Sequence, residues 1–262
     1  MANGILYFSG TGNSLYIAKK IKEEIGGDVM YIPNYKGTGS EFDKIILVTP
    51  IYSFGMPKHV YELLPRLDKL KQLVVVQNFG GMSGGADYFM YEYCTKIGLN
   101  LQSIYLLQMP ENFTTTFTVP VPYIKVVLKN AEKRLSKIVQ DIKNDSYVLP
   151  SRKKTKEAVF LKNLNNWNKI GQSFSVSDDC IKCEKCVGVC PVQNIKLVKD
   201  SIVFGSKCVA CLGCYHRCPQ KAILYKNHKK KDRYINPNIN ENEIGQDFIG
   251  EWFNTAICRV FA

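Results

Sequence analysis

The sequence has no long hydrophobic run. Within its 262 residues, no stretch approaches the roughly 18 consecutive apolar residues that a transmembrane helix requires. The first residues, MANGILYFSG, also lack the basic segment and the long apolar core of a secretory signal peptide. We therefore expect a cytoplasmic protein without a membrane span. An apolar content of 45% argues against a disordered chain, so we expect a folded protein with a sizeable core.

Histidine is scarce, and the cysteines are unevenly distributed. None of the three histidines has the spacing of a metal ligand, and we expect His216 to be exposed. Eight of the ten cysteines lie between positions 180 and 218. In a reducing compartment, such clustering favours metal binding over disulfide formation. The other two, Cys94 and Cys258, have no partner pattern, and we predict that they are buried apolar residues.

Acidic residues are outnumbered by basic ones, and the formal net charge is +12. Residues 1–150 carry 16 basic and 13 acidic side chains, whereas residues 151–262 carry 19 and 10. This imbalance raises the hypothesis of a nucleic-acid partner. However, the basic residues are not interleaved with an aromatic stacking surface, and anionic cofactors would offset part of the charge. We therefore expect no nucleic-acid partner.

The first 145 residues alternate between short apolar runs and amphipathic segments. The apolar runs predict five strands, at residues 4–8, 28–32, 44–49, 72–77 and 101–107. The amphipathic segments predict helices at residues 13–25, 57–67, 86–97 and 122–144. Alternation of helices with buried strands is typical of an α/β fold with a doubly wound parallel sheet.

The loop SGTGNS follows the first predicted strand and opens the first predicted helix. This geometry binds phosphate, because amide groups at a helix N-terminus point at the anion. A dinucleotide-binding motif would need a third glycine where the chain has Leu15, and a Walker loop would need a lysine. An ordinary turn capped by Asn13 or Ser14 is the alternative to a phosphate loop. The candidate phosphate ligands are Ser9, Gly10, Thr11, Gly12, Asn13 and Ser14.

Two further loops follow predicted strands at their carboxyl ends, where ligands of doubly wound sheets bind. PIYSFGMP, residues 50–57, offers the aromatic side chains of Tyr52 and Phe54. NFGGMSGGAD, residues 78–87, offers Asn78, Phe79 and four glycines, which let the backbone approach a ligand closely. Each aromatic residue alone could serve plain packing, but three such loops together favour a ligand site.

Residues 1–145 resemble a flavodoxin-like domain, and SGTGNS is similar to the FMN phosphate loop of that family. The resemblance implies a five-stranded doubly wound parallel sheet that binds FMN, with the first loop around the phosphate. It also implies that two later loops flank the isoalloxazine ring, with Tyr52 or Phe54 stacked on it. The residues implied in these loops are Tyr52, Ser53, Phe54, Gly55, Asn78, Phe79, Gly80 and Gly81.

Residues 180–191, CIKCEKCVGVCP, and 208–219, CVACLGCYHRCP, share the spacing C-x2-C-x2-C-x3-C-P. This spacing is typical of bacterial ferredoxins with two 4Fe–4S clusters, in which the fourth cysteine of each run ligates the other cluster. It predicts one ligand set of Cys180, Cys183, Cys186 and Cys218, and a second of Cys208, Cys211, Cys214 and Cys190. The alternative, zinc, is typically held by paired C-x2-C knuckles.

The two runs begin 28 residues apart. This repeat predicts an internal duplication with pseudo-twofold symmetry across residues 178–228. Apolar neighbours of the cysteines are expected to shield the sulfur atoms from water. These neighbours are Ile181, Val187, Val209 and Leu212.

The chain as a whole resembles the flavodoxin–ferredoxin fusion proteins of anaerobes. We expect a flavodoxin-like FMN domain at 1–145, a basic connector at 146–172 with one short helix near 155–168, and a small α+β two-cluster ferredoxin domain at 173–235. Residues 236–262 are expected to form a C-terminal docking region, with a helix at 240–260 that begins in a capping box of Asn240 and Glu243.

The implied cofactors favour electron transfer, because 4Fe–4S clusters pass single electrons and FMN takes one or two. Our main hypothesis is an iron–sulfur flavoprotein of anaerobic metabolism that relays single electrons, with a low-potential redox protein as partner. The alternative is a ferredoxin-coupled FMN reductase that acts on a small oxidised substrate. In that case, residues 110–122 would shape the substrate pocket; otherwise they form a plain surface loop. No second nucleotide fold supports an NAD(P)H site, and a homodimer is left open.

Overall fold

The computed structural model describes residues 2–115, 117–150, 156–164, 166–226 and 232–250. A five-stranded parallel sheet occupies the N-terminal part, in the order β2-β1-β3-β4-β5. Its strands are β1 (Asn3–Tyr7), β2 (Asp28–Tyr31), β3 (Lys44–Pro50), β4 (Gln72–Phe79) and β5 (Leu101–Gln108). All seven residues of the central strand β3 are buried, as expected for a parallel sheet covered on both faces. The predicted flavodoxin-like sheet is therefore confirmed.

Helices connect the strands of this sheet. They are α1 (Asn13–Ile25), α2 (Lys58–Leu63), α3 (Ala86–Lys96) and α4 (Val121–Lys143), and a 3-10 turn at Leu64–Arg66 follows α2. The apolar stripe of α4 is buried against the sheet through residues such as Ala131, Leu135 and Ile138. Within the described part of the chain, no helix is long and apolar enough to cross a membrane.

The connector contains two short helices, α5 (Glu157–Leu164) and α6 (Trp167–Gln172), where the sequence predicted one. Phe160 and Trp167 explain the difference, because both side chains are buried against the first unit and their rings lie 5.9 Å apart. The described part of the connector therefore packs against the core through these two side chains.

The cysteine-rich unit is built from two similar halves. Its elements are β6 (Phe174–Val176), α7 (Lys185–Gly188), β7 (Ile195–Val198), β8 (Ser201–Phe204), α8 (Gly213–His216) and β9 (Ile223–Tyr225). Strand β6 pairs antiparallel with β9, and β7 pairs antiparallel with β8. Helices α7 and α8 begin 28 residues apart, which is the period of the cysteine runs.

The backbone repeats with the same period at left-handed positions. Three pairs of residues 28 apart have matching positive φ angles: Lys182 and Ala210 (55° and 58°), Glu184 and Leu212 (55° and 60°), and Gln193 and Lys221 (49° and 53°). Such angles are uncommon outside glycine, so their recurrence at matched positions confirms the predicted internal duplication.

The predicted C-terminal helix is wrong over residues 240–250. The capping box of Asn240 and Glu243 is present, but it starts only a 3-10 turn at Glu241–Glu243. Gly245 then takes a φ of +96°, which ends any helix, and Phe248 pairs with Val29 at the edge of the sheet. Residues 251–262, which include Cys258 and the rest of the predicted helix, lie outside the described residues.

His59 on α2 is an acid-sensitive point in the core. Its ring lies 5.0 Å from the ring of Phe8, and its buried Nε2 has no hydrogen-bond partner among the described residues. Burial lowers the pKa of His59 to about 4; the charge of Glu62 opposes this, whereas Lys58 and Lys36 reinforce it. Below pH 6.5, His59 is therefore protonated in the unfolded chain but stays neutral in the folded chain until the pH approaches 4.

We expect this histidine to cost about 2.5 kcal/mol of stability as the pH falls from 7 to 4.5, with the full stability present above pH 6.5. His59→Phe should remove that component. The stability difference between variant and wild type, measured from thermal midpoints across this range, should shift in favour of the variant at low pH. A difference that is constant with pH would contradict the assignment.

Candidate functional site

The loop between β1 and α1 is a closed turn that presents free amide groups. The side chains of Ser9, Thr11, Asn13 and Ser14 are all buried. Gly12 has a φ of +94°, and its amide donates to Ser9 Oγ at 2.9 Å. No acceptor among the described residues binds the amides of residues 10, 11, 13 and 14. Unpaired amides at the start of a helix suit an anion such as a phosphate group.

The hydroxyl groups of this loop are also arranged as donors. Ser14 Oγ accepts a hydrogen bond from Asn78 Nδ2 at 2.8 Å, and Thr11 Oγ1 accepts one from Asn112 Nδ2 at 3.1 Å. Ser9 Oγ accepts the Gly12 amide. Because each hydroxyl group accepts in these contacts, its own hydrogen is left to be donated to an anion. The residues present therefore fit a phosphate group.

A cavity of about 470 Å³ lies at the carboxyl ends of β3, β4 and β5. Most of the predicted cofactor residues line it: Asn13, Tyr52, Ser53, Phe54, Asn78, Phe79, Gly80 and Gly81. Gly55 does not; a Cβ there would lie 2.2 Å from the ring of Phe160. The structure thus brings the two predicted ring-flanking loops together beside Asn13 of the first loop.

The rest of the cavity wall was predicted only in part: residues 110–122 were expected to shape a pocket, whereas the contributions of the connector and of the cysteine-rich unit were not. It consists of Pro110–Phe113, of Asn163, Asn166, Trp167 and Ile170 from the connector, and of Ala210 and Leu212 from the cysteine-rich unit. Trp167 meets the predicted stacking residue Tyr52 edge to face, with centroids 6.3 Å apart. The Tyr52 hydroxyl is buried and has no partner among the described residues. These aromatic walls and the orphaned hydroxyl fit a planar ligand with polar edges.

The eight clustered cysteines line two cavities, four in each. Cys180, Cys183, Cys186 and Cys218 line the first, and Cys190, Cys208, Cys211 and Cys214 line the second. These are the two groups that the crossed ferredoxin pattern predicts. Within the described ranges, no three cysteine, histidine or carboxylate side chains are arranged closely enough to hold a metal ion. Four cysteines in each group match in number the four thiolate ligands of a 4Fe–4S cluster.

Backbone amides point at the cysteine sulfur atoms. Asn194 N lies 3.2 Å from Cys190 Sγ, and Ala222 N lies 3.3 Å from Cys218 Sγ, again 28 residues away. Such N–H···S contacts stabilise thiolate ligands of iron–sulfur clusters. Burial raises the pKa of the Cys211 thiol to about 12, so a cationic partner is needed to keep it a thiolate. The donor set fits 4Fe–4S clusters.

The two cysteine groups differ in exposure. Val209 and Leu212, in the second run, are buried as predicted. Ile181, in the first run, lines the cavity of the first cysteine group but is itself 61% exposed. Cys183 in the first group is also exposed. The reason is that only the second run packs against the N-terminal unit, so its neighbours are covered.

His216 is buried, and the prediction that it is exposed is therefore wrong. Its Nδ1 accepts a hydrogen bond from Tyr234 N at 3.0 Å, which leaves the proton on Nε2 to be donated to Asn112 O at 2.7 Å. Burial lowers its pKa to about 4. The neutral ring thus joins the 110–122 segment to the C-terminal segment.

The N-terminal and cysteine-rich units meet backbone to backbone at the first loop. A Cβ on Gly10 would lie 2.1 Å from the carbonyl oxygen of Cys211, so only glycine allows this approach. Leu212 lines both the cavity at the strand ends and the second cysteine cavity. The two candidate cofactor sites are therefore adjacent and share a wall.

The C-terminal segment, residues 232–250, covers the first loop. Tyr234 donates its hydroxyl proton to Asn13 Oδ1 at 2.6 Å, and Asn236 N donates to Thr11 O at 2.9 Å. An ion pair joins Glu241 to Lys185 of the cysteine-rich unit, and Glu243 lies 2.9 Å from Lys19 of α1. This segment thus ties both units together around the loop.

Comparison with known proteins finds a flavodoxin domain in the N-terminal unit. Residues 4–87, which carry the first loop and the two ring-flanking loops, match the family model of the flavodoxin domain. No curated protein matches the chain significantly. The fold of this unit is flavodoxin-like.

Three solved structures illustrate the proteins to which this chain is similar in fold. The rubredoxin oxygen:oxidoreductase of Desulfovibrio gigas is 15% identical over 52% of this chain and 36% of its own, with a TM-score of 0.36. A flavoprotein of Lactobacillus acidophilus in complex with FMN is 17% identical over 40% of this chain and 92% of its own, TM-score 0.36. The two-electron reduced flavodoxin of Megasphaera elsdenii is 22% identical over 50% of this chain and 98% of its own, with a TM-score of 0.35.

Proposed function

We propose that this protein is an electron-transfer iron–sulfur flavoprotein of anaerobic metabolism, with one FMN and two 4Fe–4S clusters. The observation that carries the proposal is the shared wall. Ala210 and Leu212 line the cavity at the strand ends, and both lie within the cysteine run 208–218. When bound, FMN accepts or releases one or two electrons, and the clusters exchange one at a time.

The flavodoxin domain match supports FMN as the ligand at the strand ends. The unpaired amides and hydroxyl groups of residues 9–14 would hold its phosphate. The ring would lie against the loops at 52–54 and 78–81. The backbone of Gly80 and Gly81 would approach the ring edge closely, as glycine permits.

The two cysteine groups would have different roles because their surroundings differ. Cys180, Cys183, Cys186 and Cys218 would hold the cluster that faces solvent, where Cys183 is exposed. Cys190, Cys208, Cys211 and Cys214 would hold the cluster next to the flavin. A low-potential redox protein would therefore exchange electrons at the exposed group, while the buried group and the C-terminal segment exclude water from the interior.

A second candidate function is the reduction of a small oxidised substrate over the flavin. The observation in its favour is the polar wall of the cavity, where the side chains of Asn112, Asn163 and Asn166 accompany Phe113. Amide groups there could orient a substrate against the ring. This function would still need electrons from a ferredoxin-type donor, since the described residues form no second nucleotide-binding fold.

The proposal is tested by anaerobic purification and cofactor analysis. We expect about eight iron atoms and one FMN per chain; about one zinc, or no flavin, would refute it. Rapid electron delivery to an oxidised redox protein, with no turnover of small oxidised compounds, would support the relay. Turnover of a small compound that stops when Asn166→Ala is introduced, while the FMN content is retained, would support the reductase.

A further inference from the structure

A second cavity, of about 1140 Å³, touches the proposed FMN site only at Ser9 and Gly10 of the first loop. It lies on the other side of the first loop from the strand-end cavity, and residues 52–54 and 78–81 do not line it. Its walls come from Ser9 and Gly10, from the end of β2 at Tyr31 and Asn34, from the cysteine-rich unit, and from residues 242–246. This volume is ample for a small organic ligand.

Arg217 is the buried charge of this cavity. The residue is only 8% exposed, and its Nη1 makes one long hydrogen bond of 3.4 Å to Ile244 O. Its Nε is buried without a partner, and no ion pair to it occurs among the described residues. The nearby acid Glu241 is paired with Lys185 instead. A buried guanidinium with so few partners is costly unless an anion joins it.

The other residues that line the cavity also favour an anionic ligand. Lys196 and Lys207 are exposed residues of the lining, and no aspartate or glutamate is among the residues that line the cavity. Apolar side chains such as Val192 and Ile244 supply part of the wall. Three cations on a partly apolar wall suit an organic anion more than a bare inorganic ion.

We propose that this cavity binds a small organic anion, with a carboxylate or phosphate group paired with the Arg217 guanidinium. The planar guanidinium fork matches both groups bidentately. Lys196 and Lys207 contact further acidic groups, and the apolar wall contacts the carbon skeleton. The competing explanation is that Arg217 only offsets the negative charge of the neighbouring clusters. This site goes beyond the proposed function, and its wall also includes Ser9 and Gly10 of the first loop and Cys190 and Cys211 of the second cysteine group.

The test is isothermal titration of the cofactor-loaded protein with citrate and with inorganic phosphate at constant ionic strength. We expect one citrate per chain, bound more tightly than phosphate. Arg217→Gln should weaken citrate binding at least about tenfold, because a charged hydrogen-bonding group is lost. Arg217→Lys should restore it only in part, since the fork is missing. Lys133→Gln, which removes one exposed charge on α4, should have no effect.

Three outcomes would overturn the proposal. The first is equal citrate binding by wild type and Arg217→Gln, which would indicate nonspecific attraction to a chain of net charge +12. The second is no binding by the wild type, which would leave Arg217 as a counter-charge for the clusters. The third is loss of FMN from Arg217→Gln, which would make the cavity part of the flavin site. If Arg217→Gln loses iron, the test passes to Lys207→Gln, which changes an exposed residue of the lining. We then expect this variant to bind citrate more weakly while its iron content is unchanged.

Discussion

Replacement of Cys211 by serine lowers the iron content from about eight to about four atoms per chain, if each cysteine group holds one 4Fe–4S cluster. The cluster that remains is the one held by the exposed group with Cys183. Cys211 belongs to the group whose cavity adjoins the strand-end cavity, and its carbonyl oxygen lies against Gly10. The variant should therefore also alter the visible absorbance of the flavin. Iron analysis, EPR and absorbance of the anaerobic protein measure both effects.

Two matched variants make this prediction specific. Cys183→Ser should also remove about four iron atoms but leave the flavin absorbance unchanged, because its cavity shares no residue with the strand-end cavity. Cys94→Ala should retain all the iron, since Cys94 lies in the core of the N-terminal unit. Equal flavin perturbation by the Cys183 and Cys211 variants would contradict the adjacency of one cluster to the flavin. Loss of a single zinc ion would contradict the cluster assignment altogether.

The local patterns of the N-terminal unit were sufficient to predict its elements. The helix α1 has the predicted bounds, Asn13–Ile25, because its apolar stripe and the glycines that flank it are all local signals. The five strands were found because each contains a short apolar run, which in the central strand β3 is buried on both faces. Likewise the grouping of the cysteines follows from spacing within a duplicated segment, where the fold of each half is set by neighbouring residues.

What the sequence did not reveal depends on contacts between distant segments. Trp167 faces Tyr52 across 115 positions of the chain, and nothing in the connector indicates that partner. His216 is buried because the segments at Asn112 and Tyr234 close over it. Phe248 pairs with β2 instead of extending a helix, since an open sheet edge offers backbone partners that helical periodicity cannot reveal.

Replacement of Gly10 by alanine should separate the two units. The added Cβ would lie 2.1 Å from the Cys211 carbonyl oxygen and 3.1 Å from its carbon, so one of two backbone segments must move. We expect a loss of about 2 kcal/mol, which lowers Tm by about 5 °C in a chain of this size. The displaced loop amides should also weaken FMN binding, which fluorescence titration of the apoprotein with FMN measures.

Gly81→Ala is the matched control for this contact. Gly81 also lies in a loop that lines the strand-end cavity, but a Cβ there meets nothing within 4 Å. Neither glycine has a positive φ, so alanine introduces no backbone strain at either position. Both substitutions reduce the entropy of the unfolded chain equally, and the difference between them isolates the clash with Cys211. If the two variants had the same Tm and the same affinity for FMN, the close approach of the two units at Gly10 would not exist in solution. The shared wall on which the proposed relay depends would then be lost with it.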